Sequence, residues 1–159
     1  MAWESLAGTP AAAPARPEVA KCLARPLTDV KAETRDAAAR ALKTWGVKDS
    51  VPALIALLDS EPPFHKHFVP AMDALIPLKD EKGAEAVARY LPDPFHRQDA
   101  VRGLRAVGSI ADKSVAGYVN NPGNWVRDQA SRLIRRSGTN TAELVTSRPP
   151  TSHDTRTAH

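Results

Sequence analysis

A twelve-residue pattern returns along this chain, and its recurrence restricts the fold more than any other feature. It reads "RDAAARALKTWG" at residues 35 to 46, "RQDAVRGLRAVG" at 97 to 108 and "RDQASRLIRRSG" at 127 to 138. Set in register, Arg35, Arg97 and Arg127 coincide, as do Ala38, Ala100 and Ala130. Arg40, Arg102 and Arg132 form a further set, followed by Leu42, Leu104 and Ile134, and then by Gly46, Gly108 and Gly138. The spacings are 62 and 30, and the longer one is two periods. The gap holds "FVPAMDALIPLK", which puts Phe68, Ala71, Asp73, Leu75 and Lys79 at the matching positions. A period near 30 residues is one supersecondary unit that cannot bury its apolar face alone and must stack on its neighbours.

Each unit has room for two helices. Ala38, Ala41, Leu42 and Trp45 fall at i, i+3, i+4 and i+7, one apolar stripe of a helix. Gly46 suits the left-handed position that ends such a helix. A second stripe follows in "VKDSVPALIALLDS" (Val51, Leu54, Ile55, Leu58), with Pro52 in its first turn, where a missing N–H costs little. The second unit continues with "DEKGAEAVARYLPD", whose stripe is Ala84, Val87, Ala88 and Leu91; Pro77 should kink its first helix or end it early. The third has the shorter "IADKSVAGYVNNP", and the fourth only a stub, "NTAELV". Ahead of the first unit, "EVAKCLARPL" reads as a second helix without its first, with Cys22 as a packing residue.

The 159 residues are 42% hydrophobic and 25% charged but only 5% aromatic, which fits closely packed Ala- and Leu-rich helices. Residues 1–16, rich in Ala and Pro, read as an arm carrying Trp3. Residues 17–145 read as the repeat domain, and residues 146–159 as a disordered tail. No apolar run approaches the roughly 18 residues that span a membrane. The start lacks the basic and apolar regions of a secretory signal, so the cytoplasm is the expected location.

A helical pair of this length, with an Arg opening the first helix, small residues inside it and a Gly closing it, resembles the HEAT family. It looks closest to the short HEAT-like repeats of phycobilisome lyases. The pattern D-P-x-x-x-V-R-x-x-A-A-x-A-L-G is matched by "DPFHRQDAVRGLRAVG" and "NPGNWVRDQASRLIRRSG", with Val126 and Arg127 at the V-R. Thr34, His67 and His96 stand in for the Val elsewhere, and Phe68 for the Arg in the second unit. The resemblance implies an all-α fold, an α-α superhelix of about three and a half repeats. First helices would line its convex side and second helices its concave side. It implies little about function, because scaffolds, adaptors and a few enzymes share the repeat.

Chemistry-bearing residues are sparse. His67 and His96 occupy equivalent register positions, but stacked helices lie about 10 Å apart, and a metal needs nearer ligands and a third one. There is no G-x-S-x-G, no H-E-x-x-H and no Gly-rich phosphate loop. No cofactor and no catalytic residue is expected. The net charge of +4 is mildly basic. Arg40, Arg102 and Arg132 should form one column on the first helices, and Lys43, Arg105 and Arg135 a second, interrupted by Asp73 and Ile76. These cations are the candidate contacts to a partner or an anion. Arg35, Arg97 and Arg127 open their helices, where the dipole disfavours cations, so their recurrence points to bonding carbonyls or acids of the previous repeat. The expected role is a non-catalytic scaffold binding another protein or a neighbouring domain. A nucleic-acid-binding solenoid is the alternative, and a lyase-like or DNA-glycosylase-like enzyme a remote one.

Overall fold

The computed structural model describes residues 15–60 and 68–138. Among these residues every regular element is a helix: α1 (Arg16–Ala24), α2 (Ala32–Trp45), α3 (Val51–Ser60), α4 (Phe68–Leu75), α5 (Glu81–Ala88), α6 (Arg97–Val107), α7 (Asp112–Ala116) and α8 (Asn124–Ser137). Trp3, His65, His67 and the "NTAELV" stub lie outside the described residues. No described helix is long and apolar enough to cross a membrane.

The local chemistry accounts for most boundaries. Pro52 is the second residue of α3, where its missing N–H has no intrahelical partner to lose. Pro77 ends α4 at Leu75 and leaves a single 3₁₀ turn, Ile76–Leu78. Asp80 caps α5, accepting from the Lys82 N–H at 2.9 Å and the Gly83 N–H at 3.3 Å. The chain also folds one residue earlier than its composition suggests: Arg16 is the first residue of α1 and donates to the Thr44 carbonyl at the end of α2, at 2.8 Å.

The helices pack in a regular order. α2, α4, α6 and α8 each lie against the next, and α3, α5 and α7 do the same. Across the two series, α1 packs on α2, α3 on α4, α5 on α6 and α7 on α8. This pairing runs across the boundaries of the expected units. The sequence joins α2 to α3 and α4 to α5 as units, but the tighter partner of each odd helix is the one that follows it. α1 is therefore paired with α2, and α8 with α7.

Alanine sets the separation of the first helices. Ala38, Ala71, Ala100 and Ala130 are all 0% exposed, so one small side chain recurs at each crossing. Leu42, Leu75, Leu104 and Ile134 follow four residues later and are buried as well. Leu23, Leu54, Leu58, Leu91 and Val115 extend the same core through the other series. Each such Leu contributes roughly 1.5–3 kcal/mol by leaving water.

Cys22 is exposed, contrary to its expected packing role. The inward stripe of α1 is Ala20 and Leu23, continued by Leu27 in the 3₁₀ turn Arg25–Thr28, while Val19 is half-buried. Three and four residues along a helix share a face; Cys22 falls outside that phase.

The helix ends do not all work as the Gly positions suggest. Gly108 and Gly138 take the positive φ, both at 79°. Gly46 does not: its φ is −59°, open to any residue. The reason for Gly there is space, because a Cβ would stand 2.4 Å from the Leu42 carbonyl oxygen. The left-handed conformation of the second unit falls instead on Lys79, at φ 45° and ψ 54°. A side chain in that region costs roughly 1–2 kcal/mol. Lys79→Gly should therefore raise stability in urea by about 0.5–1 kcal/mol, the gain being reduced by the greater freedom of Gly in the unfolded chain.

Candidate cationic face

The turns that precede the first helices share a motif. A carboxylate or amide oxygen accepts from the backbone N–H two residues on: Asp29 from Lys31 at 2.8 Å, Asp93 from Phe95 at 3.0 Å, and Asn121 from Gly123 at 2.9 Å. These Asx turns orient the entry into α2, α6 and α8. Asp93 and Asn121 stand at the opening Asp of the D-P pattern matched in the sequence.

The helix-opening arginines bind these turns. Arg35 donates to the Asp29 and Val30 carbonyls at 2.8 and 3.1 Å. Arg127 donates to the Asn121 carbonyl at 3.2 Å and to the Asn124 side chain at 2.6 Å. The carbonyls belong to the turn ahead of each arginine's own helix rather than to the body of the previous repeat. Carbonyl contacts also explain how a cation is tolerated at a helix start. Arg97 behaves differently: its guanidinium lies 4.5 Å from the centre of the Trp125 ring, in the next first helix, a cation–π contact across the stack.

The two cationic columns are exposed but not equally available. Arg40 pairs with Asp36 one turn away at 2.9 Å. Asp73 joins three successive first helices, with Lys43 of α2 at 3.1 Å and Arg102 of α6 at 3.0 Å. Arg102 also bonds Asp99 at 3.0 Å, and that hydrogen bond, with Asp73 nearby, raises its pKa further. Arg135 donates its Nε–H to the Ser131 carbonyl at 3.3 Å. Arg105 and Arg132 have no acidic partner among the described residues. The interruption by Asp73 is thus a bridge that offsets the charge of Lys43 and Arg102.

Asp73 is mostly covered, its side chain 19% exposed, whereas its partners are more than half exposed. Exposed pairs contribute about 0.2–1 kcal/mol each. Asp73→Asn should cost about 1 kcal/mol in urea unfolding at low salt and distinctly less near 1 M salt, where screening is short-ranged.

A groove of about 590 Å³ opens between α6 and α8. Gln98, Val101, Arg102, Arg105 and Ala106 form one wall, and Trp125 and Gln129 the other. Trp125 is the second residue of α8, partly buried against the core. A second groove of about 580 Å³, lined by Lys48, Pro52, Lys79, Asp80, Glu81 and Lys82, mixes both signs of charge, and Asp80 already fills the end of α5.

Away from this face, Tyr90 donates to the Leu58 carbonyl at 3.2 Å and Arg89 pairs with Asp59 at 3.1 Å, tying α5 to the end of α3. Burial, then the Asp59 charge, pushes the Tyr90 pKa up. Asp112 is buried and accepts from the Ser137 hydroxyl at 2.5 Å. Among the described residues no group of three His, Cys, Asp or Glu is placed to hold a metal ion. No protein-family model, no curated protein and no solved structure matches the chain.

Proposed function

We propose that the chain is a HEAT-like α-α superhelix acting as a non-catalytic interaction module in the cytoplasm. The observation that supports it is the constant order of packing, with one fully buried alanine at the same register position of α2, α4, α6 and α8. Such a stack is preformed, so its side chains meet a partner with little ordering cost. The partner is another protein, and the cationic face of the first helices is the surface offered to it.

The test has two parts. Solution X-ray scattering should fit an elongated curved stack better than a closed helical bundle. A photoreactive side chain placed in turn at exposed positions of α2, α6 and α8 should crosslink a defined protein in cells. A compact scattering profile removes the superhelix, and an absence of any crosslinked protein at every position removes the interaction role.

A further inference from the structure

We infer that the groove between α6 and α8 binds an extended peptide that carries a carboxylate beside an apolar residue. This deepens the interaction reading above and rests on it. Each element of the groove matches one part of such a peptide. Gln98 and Gln129 stand on opposite walls, and their amides can pair with a peptide's N–H and C=O groups. Ala106 and the uncovered part of Trp125 supply an apolar surface for a side chain. Arg105 supplies a charge with no acidic partner among the described residues, in a planar fork suited to a carboxylate. Arg102, on the same wall, already holds Asp73 and Asp99 and contributes less free charge.

The same details disfavour a nucleic acid. A phosphate backbone needs cations in a continuous track, and Asp73 breaks that track between α2 and α6. Sequence-tolerant stacking uses successive aromatic platforms, and Trp125, with Arg97 over one face, is the single aromatic among the groove's lining residues. Charge of the opposite sign is wanted at one end of a short groove, flanked by amide and apolar contacts, which is peptide chemistry.

The test uses the full chain and a short fluorescein-labelled peptide built of Glu-Leu-Glu units, with a labelled single-stranded DNA of equal length alongside. Fluorescence anisotropy should report peptide binding that weakens with salt. Arg105→Glu should weaken it by at least about tenfold, with an unchanged melting curve. Lys113→Glu makes the same charge change on α7 and should alter it less than about twofold. Equal loss in both variants means diffuse attraction and overturns the groove. Tighter, Arg105-dependent binding of the DNA overturns the peptide assignment, and binding of neither probe overturns the site. If the peptide fails while cellular crosslinking persists in Arg105→Glu, the groove is wrong and the interaction module stands.

Discussion

Ala100→Arg is expected to abolish cooperative unfolding. Ala100 is 0% exposed on α6, which packs against α4, α5 and α8. A guanidinium there overpacks the crossing, at about 1–3 kcal/mol. It also places an unpaired charge in the core, at several kcal/mol more. A domain of this size has roughly 5–15 kcal/mol in total. Circular dichroism should therefore show lost or non-cooperative melting. Ala106→Arg, on the same helix but exposed, should stay within about 0.5 kcal/mol of the parent. An Ala100→Arg protein that melts like the parent would show that the register of buried alanines is wrong.

Gly46→Ala is expected to cost about 2 kcal/mol, more than the same change at Gly138. The three glycines end equivalent helices for different reasons. At Gly108 and Gly138 no atom stands within 4 Å of an added Cβ, and only the positive φ is strained. At Gly138, in the left-handed region with ψ 7°, that strain is worth about 1 kcal/mol; Gly108, with ψ −144°, lies where almost only Gly is found, and an Ala there costs up to about 3 kcal/mol. At Gly46 the backbone angle is ordinary, but the Cβ would press on the Leu42 carbonyl oxygen at 2.4 Å and on Leu78 at 3.2 Å. The first of these is backbone that accepts the Gly46 N–H at 2.8 Å, so relief means opening the last turn of α2. Urea denaturation of the three variants gives the ranking. An Ala at 46 as mild as that at 138 would mean the last turn adjusts freely.

Much of the helical architecture is written in local periodicity. The i, i+3, i+4 stripes of α2 and α5 placed their buried faces correctly, because a helix turns 100° per residue whatever surrounds it. Pro52 and Pro77 marked a start and a stop for equally local reasons, a missing N–H and a ring clash. The repeat register aligned Ala38, Ala71, Ala100 and Ala130, since equivalent crossings admit equivalent small side chains.

Tertiary structure decided what the chain meets at a distance. Which helix pairs with which depends on the space left after all of them stack, so the pairing of α1 with α2 and of α7 with α8 could not be read from linear order. Asp73 looked like an interruption in a column of cations; it bridges Lys43 and Arg102, 30 and 29 residues away. Gly46 and Lys79 exchange their expected roles because a clash depends on where a carbonyl points and φ on how the chain must turn into the next helix. The candidate groove shows the same division. Its arginines were visible as a repeated residue type, but Gln98, Trp125 and Gln129 join them only because α6 and α8 lie side by side. Sequence specifies the face each helix buries, through spacings within a few turns. The partners on the opposite face are fixed by contacts between residues far apart in the chain, for which spacing carries no signal.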